Sequence, residues 1–296
     1  MYKKLFWILV LIGCVIIVRC QNQTNNRFLI HPNWSENDTQ IINTIITVET
    51  FNSPDTIKNT FEANQYFIVK EKTENFYNVD WVSEDYDISK ILGIEGLIAN
   101  IDTNLKKVNI PVLEIKIDKW GYPKSISNID EMRKVMDEFV ENLVNSYKSK
   151  HKINEDSIKI ALSEWREKFL SKKQSEIQLL ESINQMFLPY DYWIPNKGEI
   201  VDSVEVNLPD FTGSVMMINK TRRENVENNE FVEVNSITQY LSSQENENEN
   251  WNLDKTIEIK SFRVNKETTK IDWIKIEMIQ PMGEQTIRTV VKYKYE

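Results

Sequence analysis

Apolar and polar positions alternate through most of this chain, and one long block departs from the alternation. Met132, Val135, Met136, Phe139, Val140, Leu143, Val144 and Tyr147 recur at steps of three and four, which gathers them on one side of an α-helix. Arg133, Asp137, Glu138, Glu141 and Asn142 fall on the other side, so the helix is amphipathic and its apolar stripe needs a cover. Asn128 stands where an N-cap belongs, with Asp130 and Glu131 in the first turn at the positive end of the helix dipole. A second periodic stretch opens at Asn154 and carries Ile158, Ala161, Leu162, Trp165 and Phe169. Ser171 and Gln174 have capping-box spacing ahead of Ile177, Leu180, Ile183 and Phe187. The block Asn128–Phe187 is therefore expected to form two to three helices.

Before and after this block the period is two. Ile42, Thr44, Ile46, Val48 and Thr50 share one face of a strand that ends at the Asn52-Ser53-Pro54-Asp55 turn cluster. Phe61–Thr73, Phe76–Ser83 and Val112–Ile117 read as further strands, while Ile88–Ala99 reads either as a short helix broken by Gly93 and Gly96 or as a bulged strand. Leu188–Gly198 is aromatic and bounded by Pro189 and Pro195, which excludes helix and interior strand. Six strand-like runs follow: Ile200–Leu208, Gly213–Thr221, Phe231–Tyr240, Thr256–Val264, Ile271–Gln280 and Gln285–Tyr295. The acidic, low-complexity Glu245–Asn250 reads as a solvated loop. Strands, then helices, then strands with short links indicate an α+β fold on an antiparallel sheet.

The first twenty residues change the picture of where the chain works. Lys3 and Lys4 precede fourteen uncharged residues from Leu5 to Val18, followed by Arg19, Cys20 and a polar tract. That is the order of a secretion signal, and the run is short for a spanning helix of about 20 residues. Leu11-Ile12-Gly13-Cys14 has the spelling of a bacterial lipobox, so Cys14 is the expected lipidation site; Cys20, with the more polar sequence after it, is the alternative. The expected organisation is a signal over 1–20, a polar tether or extended arm over 21–40, and a single α+β domain over 41–296 with its helical insert at 128–187. An exported, lipid-anchored protein of the cell envelope, outer membrane or periplasm, is the expectation from this reading, with a cleaved signal or an uncleaved short anchor as the alternatives.

Charge and cysteine usage narrow the chemistry. Both cysteines lie in the first twenty residues, leaving none in the body for a disulfide, a thiolate nucleophile or a metal site. Loss of that segment removes Lys3, Lys4 and Arg19 and no acid, taking the net charge from −9 to −12, which speaks against a nucleic-acid partner and against polybasic binding to anionic lipid head groups. His31 and His151 are the only histidines and sit far apart in sequence, so no catalytic dyad or three-ligand zinc site is expected. No nucleotide-loop or hydrolase motif is present. Glu114 with Asp118 is a carboxylate pair of the kind that chance supplies among 45 acidic residues. The expectation is a protein that is not an enzyme, with no catalytic residues, no metal and no cofactor.

The strand bearing Ile115-Lys-Ile-Asp-Lys-Trp-Gly-Tyr-Pro-Lys-Ser-Ile126, the helical block, the Phe187-Leu-Pro-Tyr-Asp-Tyr-Trp-Ile-Pro-Asn-Lys-Gly-Glu-Ile-Val201 segment and the late strands resemble, in layout, a family of functionally uncharacterised bacterial envelope lipoproteins. Gly198-Glu199-Ile200 stands where that family has G-D-x-W. The family is similar to the lipoprotein-carrier fold, which implies a strongly curved antiparallel sheet, a half-barrel, packed on the central helical insert and able to hold an acyl chain. A hydrophobic ligand held there would be contacted by Phe139, Leu143, Leu162, Trp165 and Phe169. The alternative is a recognition or assembly module that binds a protein or glycan through Tyr190, Tyr192 and Trp193, since aromatic residues on a proline-stiffened loop lose little entropy on binding.

Overall fold

The computed structural model describes residues 27–51, 56–84, 110–150, 163, 166, 171–206, 215–224, 230–242, 255–283 and 285–296. Among them are thirteen strands: β1 (Arg27–Phe28), β2 (Thr39–Phe51), β3 (Thr56–Lys72), β4 (Phe76–Glu84), β5 (Leu113–Asp118), β6 (Pro123–Ile126), β7 (Ile194–Pro195), β8 (Glu199–Val206), β9 (Val215–Glu224), β10 (Phe231–Ser242), β11 (Ile257–Asn265), β12 (Ile271–Met282) and β13 (Gln285–Tyr295). Two helices are described, α1 (Ile129–Lys150) and α2 (Lys172–Met186), where two to three were expected. Most of the second expected helix, including Leu162, Trp165 and Phe169, and the ambiguous Ile88–Ala99 lie outside the described residues.

Eleven strands form one sheet in the order β6-β5-β4-β3-β2-β13-β12-β11-β10-β9-β8, and β1 with β7 forms a separate pair. The large sheet is open, with β6 and β8 as its outer strands. All but one of its neighbours are consecutive in sequence; the exception joins β2 to the last strand, antiparallel, from Phe51↔Thr286 to Ile42↔Tyr295. The described residues fall into two compact units, one of 34–41 and 63–185, the other of 27–33, 42–62 and 186–296.

In the first unit, cross-strand register puts the apolar side chains of β3–β5 on one face, with Phe67 opposite Trp81, Val69 opposite Val79, Tyr77 opposite Ile117 and Val79 opposite Ile115. All are buried, and full burial of each such side chain stabilises by roughly 1.5–3 kcal/mol. Trp34, from the stretch that reads as a tether or arm, is buried edge-on against Tyr77 at 5.1 Å. α1 buries Ile129, Met132 and Phe139, and α2 buries Ile183, as the three-and-four spacing requires. Asn128 does more than precede the helix. Its Oδ1 accepts the Glu114 N–H at 2.9 Å and its Nδ2 donates to the Val112 carbonyl at 2.7 Å, which fastens the start of α1 to β5.

In the second unit, β8–β13 and β2 form a meander. Gly283 (φ +60) closes the β12–β13 hairpin, where Met282 faces Gln285, a left-handed turn position that glycine occupies without strain. Met186, Phe187, Leu188, Tyr190 and Ile194 are buried, and the Tyr295 hydroxyl donates to the Met186 carbonyl.

Candidate functional site

Strand register in the second unit assigns each side chain of β8–β12 to one of two faces, and the two differ in an unexpected way. One face is covered. From Val232, Val234, Phe262, Val264, Ile274 and Ile276, all buried, it passes across the strands into a polar band. There Ser236 faces Thr221 and Lys260, and Thr238 faces Asn219 and Glu258. The Thr221 and Ser236 hydroxyls are 3.1 Å apart. Asn219 Oδ1 accepts from Ser236 Oγ and Thr238 Oγ1, while Asn219 Nδ2 donates to the Tyr192 hydroxyl at 3.3 Å. Lys260 Nζ lies 2.9 Å from Glu258 Oε2, both side chains nearly enclosed. Burial works most strongly against the Lys260 ammonium, but Glu258 together with Tyr192 and Tyr240 outweighs it and holds the lysine charged, above its ordinary range. Burial, with the Glu258 charge beside it, pushes the Tyr240 hydroxyl up as well.

The cover comes from the proline-bounded loop. The Tyr192 ring meets Phe262 edge-on at 5.5 Å, and the Tyr190 hydroxyl donates to the Thr269 carbonyl at 3.0 Å. Arg27 grips Asp202 of β8 with two hydrogen bonds of 2.9 and 2.7 Å, and Arg223 lies over the Phe28 ring.

The opposite face of the same strands carries a second set of aliphatic residues. Register places Val201 beside Lys220, then Ile237 and Ile259 in one row; Ser203, Ile218, Gln239, Ile257 and Ile279 form the next, and Glu205, Met216 and Leu241 a third. Val201 is 56% exposed, Leu241 48%, Met216 39% and Ile237 38%. This apolar face ends, toward β13 and β2, at an ion network in which Arg288 donates to Glu277 (2.8 Å) and Glu49 (3.0 Å), with Lys275 on Glu277 and Lys58 on Glu49. Single exposed aliphatic residues are ordinary on a protein surface, whereas several gathered on neighbouring strands suit a surface that meets something apolar.

The residues singled out from sequence land in different places. Phe139 is buried in the first unit on α1. Leu143 lies in the α1 backbone but its side chain, like Leu162, Trp165 and Phe169, is outside the described residues, as are Cys14 and Cys20. Of the aromatic loop, Tyr190 is buried, Tyr192 is half-buried, and Trp193 is exposed. In the carboxylate pair, Glu114 accepts the Ser127 hydroxyl at 2.6 Å and Asp118 accepts the Trp120 and Tyr122 N–H groups. The aliphatic face was missed. Its signal was present as Met216-x-Ile218, Ile237-x-x-x-Leu241 and Ile257-x-Ile259, but alternation alone does not say which side of a strand is covered.

No protein-family model matches the chain, and no curated protein matches it either. A solved structure concerned with lipid–protein interactions in lipovitellin is similar over 88% of this chain and 25% of that one, at 9% identity and a TM-score of 0.44. The present chain thus spans about a quarter of that chain's length.

Proposed function

We propose that this is a non-enzymatic protein of the cell envelope, exported and lipid-anchored through its first twenty residues, that binds a hydrophobic ligand on the aliphatic face of β8–β12. The exposure of Val201, Met216, Ile237 and Leu241 on adjoining strands carries the reading. Covering the exposed half of four such side chains is worth about 4 kcal/mol, which by itself corresponds to a Kd of ~1 mM. So weak a surface works when tethering keeps its ligand concentrated, and a lipid anchor in a membrane would do that. The strongly curved, half-barrel form of a lipid carrier belongs to the same proposal, and small-angle scattering of the purified protein checks it.

Native mass spectrometry of the exported protein tests the ligand. A bound hydrophobe should accompany the native protein and be lost from an Ile237→Ser, Leu241→Ser variant that melts normally. Equal retention by both proteins would refute this site. Palmitate labelling of Cys14→Ala against Cys20→Ala tests the address, with label expected to disappear in the former.

A recognition module for a protein or glycan is a second reading. The exposed ring of Trp193 supports it, while Tyr190 and Tyr192 face inward. Trp193→Ala should then abolish partner capture and leave hydrophobe retention unchanged.

A further inference from the structure

The end of the first unit formed by the β5–β6 turn has a character the chain's acidity hides. Asp118 organises the turn: its Oδ1 accepts the Trp120 and Tyr122 N–H groups at 2.9 Å each, and its carbonyl accepts the Gly121 N–H at 2.9 Å. The Asp118 N–H donates to the Tyr122 carbonyl at 2.8 Å, and the Lys119 N–H reaches across to the Asn75 carbonyl at 2.9 Å. Gly121 supplies the positive φ (+95) and Pro123 the rigid exit. This well-braced turn presents Trp120 with 46% of its surface exposed. Three lysines lie on the turn and on β5 and β6, each with its ammonium over a ring: Lys119 over Trp120 at 5.0 Å, Lys124 over Tyr122 at 5.1 Å and Lys116 over Phe76 at 3.9 Å. The turn's one carboxylate, Asp118, is committed to those amides and to Lys124 at 3.0 Å. Glu74 lies in the adjoining turn, and Glu71 accepts from Asn78 Nδ2 in the row of Lys116.

We propose that the Asp118–Lys124 turn docks on an anionic lipid bilayer, with the Trp120 ring in the head-group layer and Lys116, Lys119 and Lys124 against lipid phosphates. An indole ring is apolar with one N–H donor, which suits that depth. Clustered lysines gain attraction from the negative surface potential of such a membrane. Bracing of the turn means that little conformational freedom is lost on docking.

The test uses the full chain reconstituted in vesicles of phosphatidylcholine alone and in vesicles that also contain phosphatidylglycerol. Subtracting the emission of Trp120→Phe from that of the parent isolates Trp120. With phosphatidylglycerol present, this component should shift to the blue and lose most of its quenching by acrylamide; in phosphatidylcholine alone it should stay water-like. High salt should reverse the shift, because screening shortens the reach of each charge. Replacing Lys116, Lys119 and Lys124 by Gln should abolish it while the circular dichroism melt is unchanged. A Trp120 component that stays water-like on anionic vesicles, or that responds equally to both compositions, would overturn the proposal.

Discussion

The sheet strands of the first unit and the β8–β11 strands of the second obey the same alternation with opposite consequences. In β4 and β5 the covered face is apolar, with Tyr77, Val79, Trp81, Leu113, Ile115 and Ile117 buried, and Asn78, Asp80, Glu114 and Lys116 on the other side. In β9–β11 part of the covered face is hydroxyl, amide and charge, and a second set of aliphatic residues lies on the exposed side. The hydrophobic effect alone would not arrange strands that way. Burying Glu258 with Lys260 is at best a weak source of stability, and exposing Leu241 gives up burial energy. Such a departure is expected where a surface is kept for binding, and under the proposed function the difference separates a region built for stability from one that also serves a ligand.

Four substitutions or conditions sharpen this contrast, and their effects should decrease in order. Glu258→Ala leaves the enclosed Lys260 ammonium without its partner and should cost about 3–5 kcal/mol in urea unfolding, while Glu258→Leu with Lys260→Met should be near neutral. Leu113→Ala, in the regular sheet at 0% exposure, should cost about 2–5 kcal/mol. Acid should act next through Glu277. Burial pushes its carboxyl up, but Arg288 and Lys275 more than compensate and hold it below the ordinary 4.5. A carboxyl depressed in the folded state stabilises above the ordinary value, and that contribution is lost as pH falls through the lowered one. Melting temperature should therefore drop below pH 4.5, and Glu277→Gln should flatten that limb. Leu241→Ala, on the exposed aliphatic face, should change stability by no more than about 0.5 kcal/mol. A large loss there would mean that this face is covered.

Much of the fold could be read from local pattern. The runs at Ile42–Thr50, Phe76–Ser83, Val112–Ile117 and the six late segments correspond to β2, β4, β5 and β8–β13, because two-residue periodicity is a local property. α1 follows from the spacing of Met132 to Tyr147 for the same reason. What was not legible depends on partners distant in sequence. Nothing in Ile42 or Tyr295 announces that they pair, since register is set by the assembled sheet. Asn128 was readable as a cap, yet its side chain is taken by Val112 and Glu114, which only the tertiary structure brings close. Trp34 looked like an isolated aromatic in a polar tract until Tyr77 supplied its neighbour. The aliphatic face failed for a related reason: Ile237 and Leu241 alternate as a core strand would, and their exposure follows from which face the Tyr190–Ile194 segment covers.

A photoreactive fatty acid, with a diazirine on its chain and followed by peptide mapping of the membrane-bound protein, tests the central claim most directly. Labelling should concentrate in Val215–Glu224 and Phe231–Ser242, at Met216, Ile237 and Leu241, and excess unlabelled fatty acid should suppress it. Labelling confined to the first twenty residues, or located on α1 at Phe139 and Leu143, would contradict the account.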